Sequence, residues 1–233
     1  MESSKFSGVT LPLPPHELRL QVGRTDDQSF DNPTGGLVFP EIAEAAYESV
    51  FDWGCGCGRL ARQLIQQRPQ PQRYVGVDLN AAAIAWCRQS LTPYAPQFEF
   101  HHQDVHYIGF NPDGTAEVLP FPAADRSVSL LIAWSVFTHT IEDHVKFYIS
   151  EVARVLRPEG IAVTSWMLFD KRNFPMMKQF QNALYINARD PVNAVIYDRL
   201  WLSNTCSEAG LVISEIGEPE TDGARRIDLR LGK

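Results

Sequence analysis

The sequence predicts an α/β protein built on a doubly wound, Rossmann-like sheet. Three observations support this: strand-like apolar runs alternate with helical patterns from residue 50 onward, alternate glycines follow the first run, and the run at residues 128–134 is almost continuously apolar. Continuous apolar runs are typical of strands buried on both faces, and their alternation with helices is typical of parallel sheets with right-handed crossovers. We expect seven mostly parallel strands, an antiparallel last strand and helices on both faces.

Composition and charge narrow the classes of protein to consider. The chain has 233 residues, 44% of them apolar, and a net charge of -7, with no long run of lysine or arginine. A polyanion-binding surface is therefore disfavoured, and with it a nucleic-acid substrate. The sequence has neither a membrane-span-length apolar window nor a signal-peptide core, so we expect a cytoplasmic protein with no membrane partner.

The four cysteines do not form a metal-ligand pattern. Cys55 and Cys57 are one residue apart within the glycine-rich loop, and no C-x-x-C spacing or second Cys/His pair accompanies them. A zinc site needs such a pair, so no metal is expected. The two side chains are interpreted as small apolar fillers.

The first 40 residues are predicted to form a cap segment. They are rich in Pro, Asp and Gly, with at most a short helix at residues 16–20. Leu18, Val22 and Phe30 offer apolar side chains for burial, so we interpret the segment as folded over the site. A disordered leader is the alternative.

Strands and helices alternate after the cap. The predicted strands cover residues 50–53, 73–78, 98–102, 128–134 and 161–166, and an antiparallel pair follows at residues 211–216 and 226–231. Helices are predicted from Pro40 to residue 49 and over residues 59–67, 80–91, 140–156 and 198–209. Asn80 and Thr140 have side chains suited to N-caps.

Residues 167–192 break this rhythm. They are rich in methionine and aromatic side chains and contain Pro175 and Pro191. A lid or substrate wall and an extra helix on the sheet edge are both open interpretations. No linker or repeat interrupts the chain, so residues 1–233 are predicted to form a single domain.

The glycine-rich loop after the first strand indicates a cofactor. Gly54, Gly56 and Gly58 occupy its first, third and fifth positions, whereas a dinucleotide-binding loop needs its third glycine at the sixth position. Asp52 lies two residues before the first glycine, where a carboxylate repels a pyrophosphate and attracts a cation. The two features favour a zwitterionic sulfonium ligand, and a nicotinamide-dependent reductase is the alternative.

The motifs from this loop onward resemble those of class I S-adenosylmethionine-dependent methyltransferases. The first motif of that family is similar to VFDWGCGCG at residues 50–58, and the second to VGVD at residues 75–78. The adenine motif is similar to QDV at residues 103–105, and the turn before strand five to ARVLRPEG at residues 153–160. The resemblance implies an enzyme that uses S-adenosyl-L-methionine and releases S-adenosyl-L-homocysteine.

The same resemblance implies which residues bind the cofactor. Asp78 matches the acid that binds both ribose hydroxyls, and Asp104 matches the acid that accepts a hydrogen bond from the adenine amine. A carboxylate can accept from two neighbouring hydroxyls, which explains the residue type at position 78. The expected cofactor-binding residues are Asp52, Gly54, Cys55, Gly56, Asp78, Leu79, Asp104, Val105, Trp134 and Ser135. Arg59 and Arg62 are interpreted as solvated helix residues.

Methyl transfer is an in-line displacement, so it depends mainly on positioning the acceptor and excluding water. A base is needed only for an acceptor that must lose a proton. His139, just after the fourth strand, is the candidate base, because neutral imidazole accepts a proton near pH 7. Its alternative role is to fix the start of the following helix.

The acceptor class rests on resemblance. Residues 134–137 lack the Asn/Asp-Pro-Pro-aromatic tetrad expected of adenine or glutamine methyltransferases. The leader is similar to those of bacterial methyltransferases from glycan or secondary-metabolite pathways. This resemblance implies a small polar or aromatic acceptor, a natural product or a sugar, methylated on oxygen or nitrogen. A catalytically silent binding protein remains an alternative, and the oligomeric state stays open.

Overall fold

The computed structural model describes residues 11–23, 25–187 and 189–232. The chain divides into two compact units, the first ending at Thr115 and the second beginning at Ala116. Residues 1–10 of the predicted cap lie outside the described residues. Within each unit, parallel strands alternate with helices, and the predicted α/β class is confirmed.

The first unit contains a parallel sheet of three strands. They are β1 (Ser49–Trp53), β2 (Arg73–Asp78) and β3 (Phe98–His102), with β2 paired to both others. Its helices are α1 (His16–Gln21), α2 (Arg59–Gln66) and α3 (Ala81–Ser90). Every residue of β1 is buried, including the polar Ser49 and Asp52, as expected of a strand covered on both faces.

The carboxyl ends of these three strands lie side by side. The parallel register pairs Trp53 with Val77 and Asp78 with His102. The loops that follow the three strands therefore start from one edge of the sheet, which is where open α/β sheets bind ligands.

The described part of the cap packs against this unit. Phe30, Cys57 and Ala83 form a buried apolar cluster, and further apolar side chains of the cap pack on it: Leu13, Leu18 and Val22. Burial of these side chains removes apolar surface from water and so stabilises the attachment.

The second unit contains six strands. They are β4 (Val128–Ala133), β5 (Leu156–Phe169), β6 (Ala183–Tyr185), β7 (Val195–Asp198), β8 (Leu211–Pro219) and β9 (Ala224–Leu231). Strand β5 pairs in parallel with β4 and β7 and antiparallel with β9, while β6–β7 and β8–β9 are antiparallel pairs. The helices are α4 (Glu142–Val155) and α5 (Arg199–Glu208). The predicted antiparallel last strand is confirmed.

The number of strands differs from the prediction. The described residues form nine strands, three in the first unit and six in the second, where seven were predicted. The additional strands, β6 and β7, have three and four residues, too few for an alternating pattern to signal them. Strand β5 has 14 residues and extends well beyond residues 161–166, because it is paired on both sides along much of its length.

The helix predicted from Pro40 to residue 49 is wrong. This stretch holds only a 3-10 turn, Glu44–Glu48, before β1 begins. The buried Tyr47 hydroxyl accepts from Phe39 N at 2.7 Å and lies 3.2 Å from Phe39 O, which closes a compact loop in place of a helix.

The two predicted caps have different outcomes. Asn80 Oδ1 accepts from Ala83 N at 3.1 Å and caps α3 as predicted. Helix α4 instead starts after Ile141 without a side-chain cap, because Thr140 Oγ1 donates to Val136 O at 2.9 Å. No helix within the described ranges has the length and apolar character needed to cross a membrane.

Candidate active site

The glycine-rich loop connects β1 to α2 at the carboxyl edge of the first unit's sheet. Gly54, Gly56 and Gly58 have φ angles of 78°, 53° and 77°, a left-handed region that residues with a Cβ rarely adopt. Gly54 N and Cys55 N both donate to Val77 O, at 2.8 and 3.1 Å. The loop is thus tied to the end of β2.

Protein atoms fill the space beside two of these glycines. A Cβ on Gly56 would lie 2.5 Å from Val22 Cγ1, in the cap, and a Cβ on Gly58 would lie 2.7 Å from Leu91 Cδ1 and 2.9 Å from Cys87 Sγ. From the sequence, we attributed these glycines to a ligand that lies close to the loop backbone. In the structure, contacts with the cap and with α3 already require glycine at positions 56 and 58.

Asp78 joins the loop to the end of β2. Its Oδ2 accepts from Gly56 N and its Oδ1 from Asn80 N, both at 2.8 Å. Each oxygen retains a second lone pair, so the carboxylate can accept from two further hydroxyls. Burial raises the pKa of Asp78, whereas the Asn80 and Gly56 donors lower it. Two free acceptor positions on one carboxylate fit the two ribose hydroxyls of S-adenosyl-L-methionine.

Asp52 faces the core of the first unit. Its side chain is buried, and Oδ2 accepts from the Tyr74 hydroxyl at 2.7 Å. Burial raises the pKa of Asp52 to about 7; the Tyr74 hydrogen bond and the charge of Arg59 oppose this increase, and the charge of Asp78 adds to it. The Asp52 side chain is thus bonded to the neighbouring strand β2, and its contact with the cofactor stays a prediction.

Asp52→Asn is expected to stabilise the protein at pH 8 and to have less effect as the pH falls. A carboxyl group whose folded pKa lies above its unfolded value of 3.8 loses stability as the pH rises between the two values, by up to about 1.4 kcal/mol per pH unit. The amide keeps an acceptor for Tyr74 without a charge. Thermal unfolding between about pH 4.5 and pH 8 should give curves that diverge with pH, and parallel curves would contradict the raised pKa.

Asp104 and Val105 follow β3 and close a loop. The Asp104 carboxylate accepts from Asn111 Nδ2 at 3.1 Å and from Thr115 Oγ1 at 2.6 Å, and these donors lower its pKa. Asn111 Nδ2 also donates to Val105 O at 2.9 Å. Contact of this turn with adenine stays a prediction.

Leu79 and Cys55 complete the predicted set in the first unit. Leu79 O lies 3.0 Å from His102 Nε2, which links the ends of β2 and β3. Cys55 is buried, and burial raises the pKa of its thiol well above the usual value, so the group is neutral. Within the described ranges, no cluster of three His, Cys, Asp or Glu side chains could hold a metal ion.

The second unit carries Trp134 and Ser135 in the turn after β4. Ser135 is exposed, has a φ of 57°, and donates its backbone N–H to Ser165 Oγ at 2.7 Å. Close by in sequence, Phe137 stacks on the buried Trp166 with ring centroids 4.1 Å apart. This packing anchors the turn to β5.

His139 lies in the 3-10 turn before α4. Its Nδ1 is 3.0 Å from Val192 O. A carbonyl oxygen can only accept, so Nδ1 carries the proton of the neutral ring, and Nε2 is the basic nitrogen. A general base needs this tautomer if Nε2 is the nitrogen that faces the acceptor.

An open depression of about 570 Å³ lies beside the residues that follow His139 and precede Val192. Its mostly apolar lining consists of Ile141, Gln181, Ala183, Leu184, Tyr185 and Pro191. Exposed apolar side chains occur in the same segment, among them Met176, 94% exposed, and Phe180, 75% exposed. The volume suits a small organic ligand.

The interpretation of Arg62 as a solvated helix residue is wrong. The side chain is buried and is hydrogen-bonded to the cap. The sequence of α2 does not show which of its polar residues the cap covers. The covering segment lies 30 or more residues earlier in the chain, so its contact with Arg62 is visible only in the structure. Arg59, at the start of the same helix, is partly exposed.

Residues 50–160 match a protein family described as "Methyltransferase domain". Residues 50–160 carry a methyltransferase domain. The predicted resemblance is confirmed, and with it S-adenosyl-L-methionine as the cofactor of the class. The fold of the methyltransferase domain is similar to that of magnesium protoporphyrin IX methyltransferase from Synechocystis PCC 6803, solved with bound SAH, with a TM-score of 0.52, 16% identity, and coverage of 79% of this chain and 74% of that one.

Two relatives are similar to parts of this chain in sequence. A fatty-acid O-methyltransferase of Mycolicibacterium smegmatis is 30% identical over 118 residues, which cover 51% of this chain and 36% of that protein. A tRNA1(Val) (adenine(37)-N6)-methyltransferase of Yersinia pestis is 40% identical over 65 residues, covering 27% of this chain and 26% of that protein. The chain spans between about a quarter and a third of the length of these relatives.

Proposed function

We propose that the protein transfers a methyl group from S-adenosyl-L-methionine to an oxygen or nitrogen atom of a small molecule. The observation that carries the proposal is the Asp78 carboxylate, bonded to Gly56 of the glycine-rich loop and still able to accept from two hydroxyls. The cofactor, when bound, supplies a methyl group activated by a sulfonium. The chain then has to bind, orient and shield the two reactants.

Each predicted residue has a role in this proposal. Asp78 binds the ribose hydroxyls, and Asp104 with Val105 binds the adenine edge. The backbone of Gly54, Cys55 and Gly56 contacts the methionine portion, which a loop of small residues allows at close range. Leu79, Trp134, Ser135 and Asp52 are the remaining proposed contacts.

A small acceptor with apolar character is favoured over a nucleic acid. The depression lined by Leu184 and Tyr185 has the volume and the lining of a small-molecule site. The net charge of -7 disfavours a polyanion. Two of the similar proteins are named for fatty-acid and porphyrin acceptors. We propose that residues 167–192 form the substrate wall.

The similarity to a tRNA adenine methyltransferase favours a second candidate acceptor. It extends over only 65 residues, and the tetrad expected of an adenine amino-methyltransferase is absent at residues 134–137. We therefore retain tRNA as a comparison substrate in the experiment and not as the proposed acceptor.

His139→Gln is expected to lower kcat by about 10²–10⁴-fold for an acceptor that must lose a proton. Because the basic nitrogen is lost, the acidic limb of the pH–rate profile should disappear as well. His144→Gln, in the first turn of α4, is the matched control and should retain that limb. A pH–rate profile of His139→Gln identical to that of the wild type would contradict the role of a base.

The function is tested by incubating the protein with methyl-labelled S-adenosyl-L-methionine and a library of fatty-acyl, aromatic and sugar acceptors, with tRNA in parallel. Label on a small molecule, with equivalent release of S-adenosyl-L-homocysteine, supports the proposal. Label on tRNA alone contradicts the acceptor class. Cofactor binding without any transfer favours the catalytically silent alternative.

A further inference from the structure

A buried arginine fastens the N-terminal segment to the helix that follows the glycine-rich loop. Arg62, on α2, is 4% exposed. Its guanidinium has four partners: Nε donates to Pro12 O at 3.1 Å, Nη2 to Leu11 O at 3.0 Å and Nη1 to Phe30 O at 2.8 Å, and Nη1 also pairs with Asp31. We call the described residues of 11–32 the strap.

Burying this guanidinium is costly unless its donors are satisfied. All four of these partners come from the strap, from two stretches separated by about 20 residues. When the strap is detached, the charge loses these partners. The hydrogen bonds of the Arg62 guanidinium therefore form only when the strap is closed, and they stabilise that position.

Two glutamines on the same side of α2 reinforce the attachment. Gln63 Nε2 donates to Ser29 O at 2.8 Å, and Gln66 Oε1 accepts from Asn32 N at 2.6 Å. Positions three and four apart lie on one helix face. One face of α2 thus serves as the docking surface of the strap.

The other end of the strap reaches the proposed cofactor contacts. Val22 lies so close to Gly56 that a Cβ on this glycine would be 2.5 Å from Val22 Cγ1. Gln21 Oε1 accepts from Asn80 Nδ2 at 2.7 Å. Gly56 and Asn80 both donate a backbone N–H to the Asp78 carboxylate. The strap therefore contacts two residues that hold the proposed ribose acid in place.

We infer that the strap is a gate over the cofactor and that Arg62 is the positioning residue that keeps it closed. The inference rests on the proposed function, because it requires the cofactor to bind at Gly56 and Asp78. Cofactor enters and product leaves when the strap lifts from the loop. The rate of opening then limits both association and dissociation, since the same barrier is crossed in each direction.

The test measures the exchange kinetics of S-adenosyl-L-homocysteine by stopped-flow fluorescence in the full chain. Arg62→Gln removes the charge-assisted attachment, and both the association and the dissociation rate constants are expected to rise by about tenfold or more. Gln21→Ala removes the hydrogen bond from Asn80 at an exposed residue of the strap, and it carries the test if Arg62→Gln does not fold. Hydrogen exchange of residues 11–32 reports the detachment directly.

Arg68→Gln is the matched control. Arg68 follows α2, and its guanidinium donates to Ile65 O and Gln67 O, outside the strap. Its exchange kinetics should equal those of the wild type. Arg62→Lys retains the charge and should restore part of the wild-type rates.

The outcomes separate the gate from the proposed function. A wild-type protein that binds neither S-adenosyl-L-methionine nor its product overturns both. Wild-type rates in a variant whose strap exchanges faster overturn the gate and leave the proposed function standing. Faster dissociation with unchanged association also overturns the gate. In that case the strap contributes contacts to the bound ligand and does not control its entry.

Discussion

Asp78→Ala is expected to weaken the binding of S-adenosyl-L-homocysteine by about 1–3 kcal/mol, that is, by about 5- to 150-fold in Kd. Two losses contribute. The ribose hydroxyls lose their acceptor, and Gly56 N and Asn80 N lose the carboxylate that fixes them at 2.8 Å. Isothermal titration calorimetry with the purified variant measures the change.

Asp78→Asn separates these two contributions. The amide oxygen retains an acceptor for one backbone N–H, but its NH₂ group cannot accept from the other. We expect an affinity between those of the wild type and of Asp78→Ala. Asp113→Ala, at an exposed acid of the same unit, is the control and should bind as the wild type does. An unchanged affinity of Asp78→Ala would show that the assigned cofactor frame is wrong.

Trp166→Ala should cause the largest loss of stability in the second unit, about 3–5 kcal/mol. The indole is fully buried, stacks on Phe137 at 4.1 Å and meets the Tyr197 ring edge-on at 5.7 Å. Its Nε1 donates to Thr164 Oγ1 at 2.7 Å. Alanine leaves a cavity and removes a hydrogen bond in the same place.

Urea unfolding of Trp166→Ala measures this loss. Trp201→Ala is the matched control. Trp201 stacks on Tyr197, which also contacts Trp166, with ring centroids 5.1 Å apart, but Trp201 is only partly buried. Its cost should be clearly smaller, since cavity and transfer contributions scale with the buried volume. Equal costs for the two variants would contradict a dominant role of the Trp166 stack.

The parts of the fold that the sequence predicted are those with strong local signals. Strands β1 and β4 are buried at every position, and their mostly apolar sequences were sufficient to identify them. The side chain of Asn80 caps α3, as its residue type indicated. In these elements the local preference and the tertiary environment agree.

The elements that were missed depend on specific tertiary contacts and not on a repeating sequence pattern. Strands β6 and β7 are short, and each is a strand because of its pairing partner. The stretch after Pro40 has a helical composition, yet Tyr47 closes it into a loop by bonding to Phe39. Neither contact can be inferred from local periodicity.

The candidate site shows the same division. The order of the motifs located Asp78 next to the glycine-rich loop, where the structure bonds its carboxylate to Gly56. The sequence did not indicate that Val22 fills the space beside Gly56, or that Arg62 is buried beneath the cap. These contacts join residues more than 30 positions apart and become visible only in three dimensions.

The central claim is that the glycine-rich loop and Asp78 bind S-adenosyl-L-methionine. Calorimetric titration of the wild-type protein with S-adenosyl-L-methionine, S-adenosyl-L-homocysteine and NADH tests it most directly. We predict saturable binding of the first two at one site per chain and no heat of binding for NADH. Binding of NADH alone would contradict the claim and assign the loop to a nicotinamide cofactor.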